Sequence, residues 1–236
     1  MEKSTIIEHL KDLRKRLLWA IVAYLASAGI SFAFASRIRD ILRSFGGDIE
    51  LVYISPSEAL LTDIKVSLLA GFFVALPFIL YQIWMFVAPG LHRQEKKYLV
   101  LLVFASLVLF LTGAGFAFGV VLPFAMAFFQ SFAGPGLVAM FTYDRYIQFV
   151  GTLTIIFGLV FQLPLIMVFL AYVGVVSPEG LRRQRKLALL LVFTVAALLT
   201  PPDPTSQILM AVPLIVLYEI SIILTQIVVK RKRRAK

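Results

Sequence analysis

Residues 98–143 read YLVLLVFASLVLFLTGAGFAFGVVLPFAMAFFQSFAGPGLVAMFTY, and no acidic or basic side chain interrupts them. A helix needs about 20 apolar residues to cross a ~30 Å hydrocarbon core, so this stretch exceeds one span. Pro123 and Gly134-Pro135-Gly136 divide it into a span over Tyr98–Val121 and an uncharged loop or interfacial segment. Outward from there, further apolar runs cover Leu17–Ala35, Leu61–Ala88, Ile147–Val176, Leu187–Leu199 and Ser206–Val229. Hydrophobic residues make up 60% of the chain and the mean hydropathy is +0.92, against roughly 45–50% apolar residues in a soluble domain. The pattern predicts an all-α integral membrane protein. It is one six-span membrane domain over residues 1–236, with a cytoplasmic N-terminal segment 1–16 and a basic cytoplasmic tail 230–236.

The net charge is +10, which raises the possibility of a nucleic-acid partner. Its distribution argues against one, because the basic residues flank apolar runs as topology determinants do. The N-terminus, the His92 loop, the Arg182 loop and the C-terminal tail hold most of them. The opposite side carries Arg37, Arg39 and Arg43, with Lys65 and Arg145 as further candidates, and the loops at Gly134 and Pro201 carry none. Six spans with both termini cytoplasmic satisfy this asymmetry. The tail cations Lys230, Arg231, Lys232, Arg233, Arg234 and Lys236 suit anionic headgroups, each worth about 1 kcal/mol near the surface. The first apolar run exceeds the 7–15 residues of a signal-peptide core, so it is read as a retained span.

Local signals place the helix ends. In Ser55-Pro56-Ser57-Glu58, Ser55 reads as an N-cap, Pro56 as a first-turn residue and Glu58 as the acid reaching back. Asp203 and Pro204 repeat the cap before span six. Pro77 and Pro164 lie inside spans, and Pro89-Gly90 ends span two. Span five is only about 20 Å long at 1.5 Å per residue, so the hairpin of spans five and six reads as short. Bilayer thinning, snorkelling flanks or partner packing must absorb the mismatch.

No catalytic constellation survives inspection. There is no cysteine, and the two histidines, His9 and His92, lie in different segments without metal-ligand spacing. The sequence therefore calls for no catalytic residue, no metal and no cofactor. What remains is a set of charges beside the membrane. Glu8, Asp12 and Arg16 stand on one helical face, and Leu10, Leu13 and Leu17 form an apolar stripe. Such a face is either laced by ion pairs of about 0.3–0.5 kcal/mol each or offers Asp12 to a cationic ligand, since guanidinium and carboxylate pair through two hydrogen bonds. Glu95, alone among Arg93, Lys96 and Lys97, either neutralises its neighbours or forms a second such site. Gln162 and Glu219 lie within spans, where polar side chains serve as interhelical glue or as functional groups.

Several motifs follow one another along nearly the whole chain. They are His9-Leu10 with Asp12-Leu13-Arg14-Lys15-Arg16, then Ser55-Pro56-Ser57-Glu58, and then the run from Pro77 through Gln82-Ile83-Trp84-Met85-Phe86 to Pro89-Gly90-Leu91. Glu95-Lys96-Lys97, Phe161-Gln162-Leu163-Pro164, Ser177-Pro178-Glu179-Gly180-Leu181-Arg182 and Leu199-Thr200-Pro201-Pro202-Asp203 complete the series. In that order the chain resembles the TatC family, the multi-span receptor subunit of the twin-arginine protein translocase. The resemblance implies a bacterial cytoplasmic membrane protein, present in several copies per complex. It would bind twin-arginine signal peptides and pass folded proteins across the membrane with single-span TatA/TatB-type partners, driven by the proton-motive force. It implies that Asp12 and Glu95 receive the arginines, with His9, Arg16, Phe86, Pro89 and Leu91 around them. Ser55 and Pro56 would lie in the first external loop. Gln162, Pro202, Asp203 and Glu219 would serve structure or partner contact on the side of the span five–six hairpin.

Two departures matter. The family often has Glu where this chain has Asp12, and many relatives carry Glu where it has Gln162, which cannot titrate. The rival reading from another class is a small-molecule or ion transporter using Glu219 and Gln162 as a midplane site.

Overall fold

The computed structural model describes residues 2–45, 51–88, 99–134, 140–199 and 204–234. The chain is helical almost throughout. Helices α1 (Glu2–Phe32), α2 (Ala35–Phe45), α3 (Pro56–Val87), α4 (Leu99–Phe116) and α5 (Leu122–Gln130) are followed by α6 (Tyr143–Val160) and α7 (Leu163–Val173). Then come α8 (Pro178–Arg183), α9 (Arg185–Leu199) and α10 (Pro204–Arg234). Two short strands, β1 (Leu51–Val52) and β2 (Phe141–Thr142), pair in parallel with Leu51 opposite Phe141. Among the described residues 5 helical runs are long and apolar enough to cross a membrane: Ile7–Phe32, Pro56–Val87, Leu99–Gln130, Tyr143–Val173 and Met210–Lys232. The 15 residues of α9 make the short span the sequence predicts. Span six is not short: α10 has 31 residues. The tail cations 230–234 continue it, since Lys and Arg are good helix formers.

Pro123 does not end span three. Ala117–Val121 form a π turn directly before it, and the helix continues to Gln130. Proline lacks an N–H for the usual bond, and a π turn is where a membrane helix absorbs such a loss. Span four does break, with Phe161-Gln162 separating α6 from α7 and Pro164 in the first turn beyond. The segment after span one forms the amphipathic α2, which buries Ala35 and Leu42.

Packing divides the chain into two compact units, Met1–Val108 with Leu122–Thr152, and Leu109–Val121 with Leu153–Lys236. In lipid, apolar area alone does not join helices, so small and hydroxyl side chains fill their interfaces. In the first unit α1 packs along α3. Gly71 of α3 lies against the backbone of Ala28 so closely that any Cβ there would collide with it. The buried Thr62 and Ser67 hydroxyls donate to the carbonyls of Glu58 and Asp63, at 2.8 and 2.7 Å. The Trp84 indole N–H donates to Ser106 Oγ at 2.7 Å. The outward sides of these helices are large apolar residues such as Trp19, Val22 and Leu25, which a bilayer solvates.

The start of α3 is tied by polar bonds. The Ser55 hydroxyl accepts from the Glu58 N–H at 3.3 Å, and the Glu58 carboxylate accepts from the Ile54 N–H at 2.9 Å. Nearby, Asp63 accepts from Arg39 Nη1 at 3.2 Å and from the Tyr143 hydroxyl at 3.0 Å. Lys65 and Thr62 both donate to Asp144, and Tyr146 donates to the Leu42 carbonyl at 2.7 Å. These bonds join α2, α3 and α6. Asp63→Asn keeps the shape but discards the charge that serves two donors, and is expected to destabilise the unit by about 1–3 kcal/mol. Thermal unfolding of the purified protein in detergent reads this as a lowered midpoint, and an unchanged midpoint would count against the network.

In the second unit, Gly113 abuts the Phe157 carbonyl and Gly158 sits under the Phe110 ring. Of the glycines in span three, only Gly113 marks close packing, because Gly115 and Gly119 border open space. Helix α7 ends at Gly174 with φ 93°, a left-handed conformation suited to glycine. Ser177 then caps α8 by accepting from the Gly180 N–H at 3.0 Å. The Tyr218 hydroxyl donates to the Leu181 carbonyl at 2.8 Å, and Lys232 Nζ donates to the Tyr172 carbonyl at 2.7 Å.

Candidate functional site

The first half of α1 and the last turns of α3 bring the candidate residues together. Arg16 Nε donates to Asp12 Oδ2 at 2.7 Å, one helical turn away. Arg16 Nη1 reaches toward Gln82 Oε1 of α3 at 3.5 Å. Nearly one turn of α1 before Asp12, His9 stacks on Phe86 with ring centroids 4.4 Å apart and planes 25° from parallel. His9, Asp12, Arg16, Gln82 and Phe86 therefore form one patch. Gln82 belongs to the quoted run from Pro77, but only its meeting with Arg16 marks it as part of the site.

The orientation of α1 reverses the pattern reading. An amphipathic helix in water turns its leucines inward. Here Leu10, Leu13 and Leu17 are 57%, 40% and 57% exposed, while the Asp12 and Arg16 side chains are 34% and 22% exposed. The charged face looks toward α3 and the leucine stripe looks out. Where lipid and headgroups replace water, leucine loses nothing by facing outward, and the polar side chains gain partners by facing the neighbouring helix.

This geometry leaves Asp12 half engaged. Arg16 takes Oδ2, and Oδ1 has no hydrogen-bond partner among the described residues. A carboxylate has two oxygens and about four acceptor positions, so a second guanidinium can bind without displacing Arg16. Gln82 stands 3.5 Å from the far side of Arg16. The His9–Phe86 stack supplies an aromatic wall, against which a guanidinium plane or an apolar side chain packs well. Among the described residues there is no group of three His, Asp or Glu side chains able to hold a metal ion.

Pro89, Leu91 and Glu95 lie outside the described residues, as do Pro202 and Asp203. Ser55 and Pro56 cap α3 at the end opposite Phe86, and the Asp63 network lies about 35 Å from Phe86 at 1.5 Å per residue. In the second unit, Gln162 is buried at the α6–α7 break, where its carbonyl accepts from the Ile166 N–H at 2.9 Å. Glu219 accepts from Arg185 Nη2 at 2.7 Å. The acid that reads as intramembrane in the sequence thus has a cation from the start of α9 as its partner. Their separation of 34 positions hides that pairing from any local pattern.

The chain resembles known proteins in sequence and in fold. A family profile described as Sec-independent protein translocase protein (TatC) matches residues 8–213. The Sec-independent protein translocase protein TatC of Desulforapulum autotrophicum is 41% identical over 236 residues, which cover 98% of this chain and 87% of that protein. The protein of the same name from Aquifex aeolicus is 39% identical over 234 residues, 97% of each chain. A crystal structure of a twin-arginine translocase receptor TatC superposes with a TM-score of 0.81 at 40% identity, covering 93% of this chain and 99% of that one. A second, in DDM, gives a TM-score of 0.83 at 40% identity, covering 92% and 99%. The transporter alternative finds no support in these likenesses.

Proposed function

This chain belongs to the TatC family and is a non-enzymatic multi-pass membrane subunit of the twin-arginine translocase, and from that premise we propose that it is the receptor that grips twin-arginine signal peptides at the Asp12 patch. The observation that carries the reading is the half-engaged carboxylate of Asp12, held at 2.7 Å by Arg16 beside the His9–Phe86 stack. One arginine of the peptide takes the open oxygen of Asp12. The second goes to Glu95, eight positions beyond the last residue of α3, Val87. Pro89 and Leu91 shape the surface between them. The outward leucine stripe of α1 continues from the patch toward the membrane and suits the apolar part of a signal peptide.

In this reading the Asp12 patch, the termini and the basic tail face the cytoplasm of a bacterium, and the chain acts as one six-span domain over 1–236 in its inner membrane. The Ser55–Pro56 cap lies on the far side. Single-span TatA/TatB-type partners dock on the hairpin side, near Gln162, Glu219, Pro202 and Asp203, and several copies assemble. A single bundle of six helices encloses too little space for a folded cargo, so partners complete the path. The proton-motive force drives transport.

The test is binding of a twin-arginine signal peptide and its twin-lysine version to the purified wild type in detergent. Lysine is a point charge without the planar fork, so selective binding of the arginine form is expected. Equal binding by a folded sample would contradict the carboxylate-grip reading. A second experiment separates recognition from the later step. Glu219→Gln discards the charge that meets Arg185, far in sequence from the patch. It is expected to leave peptide affinity within about twofold of wild type and to reduce transport of a folded cargo into inverted membrane vesicles. Loss of peptide affinity in this variant would contradict that separation of roles.

A further inference from the structure

The second unit contains an apolar crevice of about 290 Å³. Its walls are Leu163 and Met167 beside the α6–α7 break, Leu187 and Leu191 of α9, and Leu214 of α10, with Gln184 among the lining residues. Tyr218 also lines it, but its hydroxyl is committed to the Leu181 carbonyl. The crevice offers an occupant carbon surface, with Gln184 and Tyr218 the polar side chains in its lining.

Its size decides what fits. The crevice is about twice the ~150 Å³ cavity that admits benzene, which suits a hydrocarbon chain of about a dozen carbons. The chain on either side of the lining residue Gln184 is strongly basic. Arg182, Arg183, Arg185 and Lys186 surround Gln184 in sequence, and all are exposed. Arg185 is paired with Glu219. Arg182, Arg183 and Lys186 have no ion-pair partner among the described residues. Helix α9 starts at Arg185 and has 15 residues, about 22 Å at 1.5 Å per residue. That falls short of a ~30 Å core, a mismatch that cations at the start of the helix relieve when they meet headgroup phosphates drawn toward them.

We propose that this crevice holds one acyl chain of an anionic glycerophospholipid, with its phosphate on the Arg182, Arg183 and Lys186 cations. The apolar walls supply the seat and the cations supply the headgroup preference. A zwitterionic headgroup brings its own cation to the same place and is disfavoured. The assignment stands apart from peptide binding and holds whether or not the Asp12 patch recognises arginines.

The test uses the full-length chain in nanodiscs of phosphatidylcholine with a minor fraction of phosphatidylglycerol. A diazirine analogue of leucine replaces Leu191, which keeps the crevice volume, and irradiation is followed by intact mass measurement. The expected adduct is one phospholipid, with phosphatidylglycerol enriched about fivefold over its mole fraction, the factor that one cation's attraction near a surface supplies. Changing Arg182, Arg183 and Lys186 together to glutamine is expected to return the adducts to the bulk ratio. The same three positions changed to lysine, or left as lysine, keep the enrichment and control for folding. Adducts in bulk proportion in the parent protein would overturn the proposal. So would a polypeptide adduct, from a second copy or a single-span partner, or enrichment that survives in a glutamine variant with an unchanged thermal midpoint.

Discussion

Asp12→Ala is expected to weaken binding of a twin-arginine signal peptide by about 10- to 50-fold, or roughly 1.4–2.3 kcal/mol. A hydrogen bond to a charged group is worth about 1.5–3 kcal/mol. The partial exposure of Asp12, 34%, puts the direct loss at the lower end of that range. A second effect adds to it. Without Asp12, Arg16 loses its 2.7 Å partner and presents an uncompensated cation to an incoming arginine. The double variant Asp12→Ala with Arg16→Ala separates the two contributions, because it removes the repulsion along with the grip and recovers part of the affinity. Asp12→Glu keeps the charge and is expected to bind. Glu95→Ala should cost a similar factor if each acid receives one arginine. Titration of a labelled peptide measures all five proteins, and unchanged affinity in both single-alanine variants would reject the carboxylate grip.

Gly71→Val is expected to have the largest effect on stability, about 3 kcal/mol, at the upper end of overpacking costs. A Cβ at 71 meets the backbone of Ala28, and backbone cannot rotate away as a side chain does. Helices α1 and α3 must then separate along their contact, and the patch shared by Asp12, Gln82 and Phe86 opens with them. A lowered thermal midpoint and a lowered peptide affinity are expected together. Gly29 of α1 provides the contrast, since a Cβ there meets nothing. Gly29→Ala is expected to change stability by less than about 1 kcal/mol, in the favourable direction that helix propensity predicts. Equal midpoints for the two variants would show that the close approach at Gly71 does not hold the first unit together.

The two kinds of information in the chain were legible to different degrees. Spans and caps are local. Most of the charge-free run at 98–143 is long and apolar enough to cross a membrane, as Leu99–Gln130 does, and Ser55 caps α3 as its Ser-Pro-x-Glu context reads. Facing and pairing are not local. The same leucines at 10, 13 and 17 would be a buried stripe in a soluble helix, and only the solvent and the position of α3 turn them outward. Asp63 and Lys65 stand in the first turns of span two, but their partners Tyr143 and Asp144 stand 80 and 79 positions away. Pro123 is a stop signal on propensity alone, and the π turn before it lets the helix run on. Of the candidate site, the Asp12 face and Phe86 were legible. Gln82 as a neighbour of Arg16 was not, because that approach exists only where α1 meets α3.

Helix α1 runs without interruption from Glu2 to Phe32, so Asp12 and Ala28 belong to one stiff rod. About 24 Å of helix separates them at 1.5 Å per residue. The Ala28–Gly71 contact is therefore a fulcrum and the segment carrying Asp12 is the long arm. A tilt of roughly 5° about that point swings the carboxylate through about 2 Å, most of the difference between a formed and a broken hydrogen bond. The rod works in both directions. A ligand pulling on Asp12 applies torque in the middle of the bilayer, and anything that leans on the middle of α1 alters the reach of its acid.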